Sequence, residues 1–136
     1  MKRMPFVLTL AVCCTVLFAA CSSKSKPSDG EAYHKITAEE AKKMLDKGGV
    51  TVVDVRTAEE YAEKHIPDAV LVPVESIGKE QPEALPDKDA VLLIHCRTGV
   101  RSKQASDKLV KLGYTQIYDF GGIVDWPYET IGGSGK

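Results

Sequence analysis

The chain has 136 residues, with 18 Lys and Arg against 19 Asp and Glu and a formal net charge of −1. That balance excludes the broad basic footprint of a nucleic-acid binder. The length leaves room for one substantial hydrophobic core and no more.

Lys2 and Arg3 start the chain, and an apolar run from Pro5 to Ala20 follows, broken only by Thr9 and Thr15. A membrane-spanning helix needs ~20 apolar residues, so this run is short for a span and has the form of a signal peptide. It closes on Leu17-Phe18-Ala19-Ala20-Cys21, and a Ser-, Lys- and Pro-rich stretch follows to Gly30. Small residues before a cysteine and a polar tether after it resemble a bacterial lipoprotein box, with Phe18 where the box prefers leucine. Cys21 would become the lipidated first residue of the mature protein. The alternative is an ordinary signal with a periplasmic or secreted product.

Thr37-Ala38-Glu39-Glu40 has the spacing of a capping box, and Ala38, Ala41, Met44 and Leu45 line one helical face before Gly48-Gly49. The β-branched run Val50–Val55 predicts a buried strand. Thr57-Ala58-Glu59-Glu60 repeats the capping box and opens a short helix through Tyr61. Ala69-Val70-Leu71-Val72 predicts a third strand, closed by Pro73. Residues 76–89 hold Pro82 and Pro86 and predict a connection with at most one helical turn. Ala90–His95 is the central strand. Ala105, Leu109 and Leu112 mark the next helix, ended by Gly113. Gln116–Phe120 is the last strand, and Gly121-Gly122 turns into a segment anchored by Trp126. Alternating strands and helices imply a parallel sheet covered on both faces. Such sheets bind ligands beyond the carboxyl ends of their strands.

The central strand ends on Cys96, and Arg97-Thr98-Gly99-Val100-Arg101-Ser102 follows. A strand end, a tight turn with a glycine and a helix start would bring backbone N–H groups, the positive helix end and two guanidinium groups to one sulfur. A reactive thiolate nucleophile requires that environment. Alone, the cysteine reads equally well as a small buried hydrophobe; the flanking arginines favour the nucleophile. Cys13 and Cys14 lie in the signal and Cys21 is acylated under this reading, so Cys96 is the one free thiol left. A disulfide framework and a two-cysteine redox motif are therefore not expected. His34, His65 and His95 lack ligand spacing, so neither a metal nor another cofactor is expected. Strand alternation turns His95 to the face opposite Cys96, a structural position. Asp54 and Arg56 are expected to pair beneath the loop.

Three ordered blocks carry a family resemblance. Cys96–Ser102 resembles the active-site loop of rhodanese-type sulfurtransferases. Asp54-Val55-Arg56-Thr57 with Glu59, Tyr61, His65-Ile66-Pro67 and Ala69 is similar to the family's early stretch, with Asp68 where glycine is usual. Phe120-Gly121-Gly122-Ile123 with Trp126 is similar to its closing stretch. The resemblance implies an α/β fold, one domain with a parallel sheet of about five strands and helices on both faces. The expected division is a signal peptide over 1–20, lipidated Cys21 and tether over 21–32, the rhodanese-like domain over 33–129 and a flexible tail over 130–136.

The implied chemistry moves a sulfane sulfur from a small anionic donor such as thiosulfate to a thiol or cyanide, through a persulfide on Cys96. The amides from Arg97 to Ser102 would cradle the charged outer sulfur, with Gly99 supplying the loop's unusual backbone angles. Arg101 would end the cradle, and Arg97 and Lys103 would face the donor's sulfonate. Thr98 would donate a hydroxyl, and Ser102 is expected to cap the helix. Two rivals remain. Cysteine-based phosphatases and arsenate reductases resemble a loop with five residues between cysteine and arginine, where Cys96 and Arg101 enclose four. A non-catalytic binding or sulfide-sensing module is the other rival, and such copies typically lose the cysteine that this chain keeps. The expected location is the bacterial cell envelope, exported and lipid-anchored.

Overall fold

The β-branched and aliphatic runs of the sequence become the middle of a sheet. β1 (Tyr33–Lys35), β2 (Val50–Asp54), β3 (Val70–Leu71), β4 (Val91–Cys96) and β5 (Ile117–Gly122) pair in parallel in the order β1-β5-β4-β2-β3. This is the five-stranded α/β arrangement that the family resemblance implies, with β1 added to the four strands read from the apolar runs. The computed structural model describes residues 28–133; the signal segment 1–20, Cys21 and most of the expected tether lie outside them. Among the described residues no helix is long and apolar enough to cross a membrane.

Side-chain alternation sorts the strand residues onto the two faces of the sheet. Val53 and Val55, with Leu92, Ile94 and Cys96, pack beneath α1 (Asp29–Ala32) and α4 (Val100–Lys111) through Ala32, Ala105 and Leu109. Val52 and Leu93 face the other way, onto Ala41 of α2 (Ala38–Lys47), with Ile66, Phe120 and Trp126. Burial on both faces explains why β2 and β4 read as continuous apolar runs.

Both predicted capping boxes form. The Glu40 amide donates to Thr37 Oγ1 at 3.2 Å, and the Thr37 amide donates to Glu40 Oε2 at 2.8 Å. At the start of α3 (Ala58–Glu63), the Glu60 amide reaches Thr57 Oγ1 at 3.3 Å and the Thr57 amide reaches Glu60 Oε2 at 3.0 Å. Asp68 takes the family's glycine position with a φ of 62°, the left-handed region that Asp tolerates better than most side chains.

Three boundaries differ from expectation. Residues expected as tether are packed: the α1 turn (Asp29–Ala32) buries Ala32 to 2 % exposure. At the other end Ile131, expected in the flexible tail, bridges His65 through paired backbone bonds of 2.7 and 2.8 Å. The last strand also runs two residues past Phe120, through Gly121 and Gly122.

All five strands run in one direction, so the ends of β2, β4 and β5 share a rim. Cys96 stands on it at the sheet's middle strand.

Candidate active site

Asp54 ends β2, Cys96 ends β4 and Gly122 ends β5. The β4–β5 register shifts between Ile94 and Cys96, which places Cys96 beside Gly122. Irregular pairing of this kind re-aims a side chain at a sheet's rim. Gly122 is required sterically: a Cβ there would stand 2.1 Å from the Arg97 carbonyl oxygen and 2.7 Å from Thr98 Cα. The loop after Cys96 therefore rests directly on β5. The Val124 amide adds a bond to the Arg97 oxygen at 3.3 Å.

The sulfur faces the loop it begins. Cys96 is 1 % exposed, and the Gly99 amide donates to Sγ at 3.0 Å. Gly99 has a φ of 108° and is the N-cap of α4, with no side-chain acceptor. A β-carbon at that φ would be strained. The expected helix cap, Ser102, is corrected here: the helix begins at Val100, and Ser102 sits inside its first turn, fully buried. Its hydroxyl contacts Asp119 Oδ1 at 2.8 Å and the Gly99 carbonyl at 2.9 Å. Because Gly99 offers no capping side chain, the amides of Val100, Arg101 and Ser102 form a helix N-terminus without a side-chain cap.

Arg101 is clamped, a feature the sequence reading missed. Its Nη1 and Nη2 donate to Glu60 Oε2 and Oε1 at 2.7 and 2.8 Å. Glu60 thus serves at once as the capping-box carboxylate of α3 and as the partner of α4's arginine. The guanidinium hydrogen bonds hold the Glu60 carboxyl at about 2, well below its ordinary value of 4.5. In turn the arginine's own pKa rises, chiefly through Glu60 and further through the nearby charges of Cys96 and Glu75. The signal for Glu60 was present: the third position of a helix that starts just past the end of β2 must lie on the cysteine's rim.

Arg56 and Asp54 pair as expected. Nε and Nη2 of Arg56 meet the carboxylate at 2.6–3.1 Å, and Nη2 also donates to the Lys64 carbonyl at 2.7 Å. His95 points to the opposite face, fully buried against Phe120 at 5.1 Å between ring centroids. Its Nδ1 lies 3.1 Å from the Cys96 carbonyl, which only accepts, so that nitrogen carries the proton. Desolvation holds its pKa below the ordinary 6.5, and among the described residues Nε2 makes no hydrogen bond, lying 3.6 Å from Asp54 Oδ2.

Arg97 and Thr98 are exposed, and Val100 is 66 % exposed. Arg97 opens onto a cleft of about 290 Å³ lined also by Arg56, Glu60, Glu63, Lys64, Ile123 and Val124. Lys103, expected beside it, is placed elsewhere: it pairs with Asp107 one turn on and lies 4.7 Å above the Tyr33 ring. Lys103 and Asp107, four apart on α4, share the helix face beside Tyr33 of β1. Among the described residues no three His, Cys, Asp or Glu side chains gather as a metal site.

A family model described as Rhodanese-like domain matches residues 37–128. The thiosulfate sulfurtransferase PspE of Escherichia coli is 33 % identical over 73 residues, covering 54 % of this chain and 70 % of that protein. A sulfurtransferase of Allochromatium vinosum is 38 % identical over 87 residues, covering 63 % and 79 %. Among solved structures, a rhodanese-like domain protein from Staphylococcus aureus superposes with a TM-score of 0.62 at 35 % identity, covering 74 % of this chain and 98 % of that one. A rhodanese with anions from E. coli superposes at 0.56 with 32 % identity, covering 61 % and 98 %.

Proposed function

The chain belongs to the rhodanese-like domain family and is an enzyme of the thiosulfate sulfurtransferase type, and from that premise we propose that Cys96 carries the transferred sulfur as a persulfide. The carrying observation is the Gly99 amide, 3.0 Å from Sγ at an uncapped helix N-terminus. The Cys96 thiolate attacks the outer sulfur of thiosulfate. A new S–S bond forms, the donor's own S–S bond breaks, and sulfite leaves with the bonding pair. The persulfide's outer sulfur then carries the negative charge. A thiolate acceptor attacks that sulfur and becomes a persulfide, or cyanide attacks it and becomes thiocyanate; either way the Cys96 thiolate is restored. The electron count closes in each half-reaction, and the cycle needs no cofactor.

The residues divide the labour by position. Amides of the loop 97–99 and of the first turn of α4, Val100 to Ser102, face the charged outer sulfur and stabilise it where it forms. Arg97, exposed beside the cleft and without an ion-pair partner among the described residues, meets the donor's sulfonate. Thr98 is exposed at the loop tip and offers a hydroxyl to the same group. Arg101 adds a fixed positive charge within electrostatic reach of the thiolate. We further propose that the protein is exported to a bacterial cell envelope and anchored there through a lipid on Cys21.

Incubation with thiosulfate should raise the intact mass by one sulfur atom, and cyanide should remove it with release of thiocyanate. Cys96→Ser should show neither change. A Cys96→Ser variant that still turns over thiosulfate would overturn the assignment.

A further inference from the structure

Asp119 takes no part in that scheme, yet its carboxylate joins β1, β5 and α4. It is fully buried in β5. A carboxylate out of water must be met by donors, and four groups meet this one. Oδ1 accepts from Ser102 Oγ at 2.8 Å and from the Gly121 amide at 2.9 Å, and Lys35 Nζ lies 3.3 Å away. Oδ2 accepts from Tyr33 Oη at 3.0 Å. The donors come from three places: β1, the Gly121 amide two residues on in β5, and the first turn of α4.

The path from Asp119 to the sulfur is short. Ser102 has one hydroxyl proton between two acceptors, Asp119 and the Gly99 carbonyl. The Lys103 amide also donates to that carbonyl, at 3.3 Å. Gly99 is the softest residue of the loop, and its own amide meets Sγ. The carbonyl and the N–H lie in successive peptide units hinged at Gly99 Cα, so anchoring the carbonyl fixes the helix side of that hinge and narrows the range over which the N–H can turn. Tyr33 stays a donor, because burial and the Asp119 carboxylate push its phenol up to about 12. Tyr33 and Lys35 also precede residues 37–128, the stretch that the family model matches.

We propose that Asp119 is the positioning residue of the cysteine loop, fixing Ser102 and through it the Gly99 amide against Cys96 Sγ, and that β1 completes the device through Tyr33 and Lys35. The proposal rests on Cys96 being the sulfur carrier. It assigns no contact with substrate to Asp119, Tyr33 or Lys35, so their effect falls on turnover and leaves donor binding alone.

Ser102→Ala, Tyr33→Phe and Asp119→Asn in the full chain test this, each checked first for a cooperative melt. Ser102→Ala should lower kcat about tenfold and slow iodoacetamide alkylation of Cys96 by a similar factor, as expected for a misdirected hydrogen bond to a charged sulfur. Its KM for thiosulfate should stay within about twofold of wild type. Tyr33→Phe should lose roughly two- to threefold in both rates. Asp119→Asn keeps an oxygen that accepts from Ser102 and Gly121, and should retain roughly half or more of kcat. Unchanged kcat and alkylation in folded Ser102→Ala and Tyr33→Phe, or an effect confined to KM, would overturn the proposal. Should Ser102→Ala not fold, Tyr33→Phe at the half-buried sheet edge decides on the same two readouts. Failure of the underlying reading looks different: wild type would take up no sulfur on Cys96, while its alkylation still responded to Ser102→Ala.

Discussion

Glu60 joins two elements through one carboxylate, and that makes its protonation a structural event. Its folded value of about 2 lies below the ordinary 4.5. A depressed carboxyl contributes stability that is complete above the unfolded value and is lost as pH falls through the folded one. The window therefore runs from about pH 4.5 down to about 2. The side chain is 25 % exposed, so solvent screening holds the contribution to about 1 kcal/mol. Glu60→Gln should flatten that part of the acid unfolding curve, measured by circular dichroism between those pH limits; an unchanged acid limb would show that the pair contributes nothing. The same substitution frees Arg101. Arg101→Ala should lower thiosulfate turnover more than Arg97→Ala, since Arg97 is solvated and Arg101 is fixed, with kcat and KM measured for both. Equal losses, or a larger one at Arg97, would reverse those roles.

Between elements, the contact that matters most is the crossing of β5 beneath the cysteine loop. Gly122 has a φ of −123°, which any residue adopts, so Gly122→Ala isolates the steric term. Its β-carbon would collide with the Arg97 carbonyl at 2.1 Å, and relief requires the loop to lift. Overpacking of this sort costs about 1–3 kcal/mol. Turnover should fall at least about tenfold, because reacting groups displaced by an ångström lose alignment. A calorimetric melt beside the rate measurement checks both; a folded variant with wild-type turnover would show that the loop moves freely. Elements of this kind were legible to differing degrees. β2, β4, α2 and α3 follow from apolar runs and capping boxes that local chemistry alone dictates. β1 was not legible: Tyr33-His34-Lys35 is three polar or amphipathic residues, and its strand character comes from pairing with β5. Asp119 stood visible in an otherwise apolar strand, but its partners lie in distant segments that no local pattern connects. The Arg101 clamp escaped for the same reason, being 41 positions from Glu60.

At the scale of the whole molecule, the proposed anchor and the proposed chemistry occupy separate parts of the chain. Cys21→Ser should release the protein from membranes or leave it unprocessed, with the folded domain's turnover unchanged; fatty-acid labelling and fractionation measure it. An unlabelled wild-type protein would remove the anchor and leave the chemistry at Cys96 intact. The placement of β1 has a further consequence, for the order in which the fold is made. Tyr33 and Asp119 are 86 positions apart, and closing a loop of that length comes late and slowly in folding. A chain delivered N-terminus first, from a ribosome or across a membrane, presents β1 long before β5 exists to receive it. Cys96 emerges in between, without α4 or the floor that Gly122 provides. In a partly delivered chain Cys96 therefore lacks the loop and strand that surround it in the fold, and the proposed site assembles only when the last strand arrives.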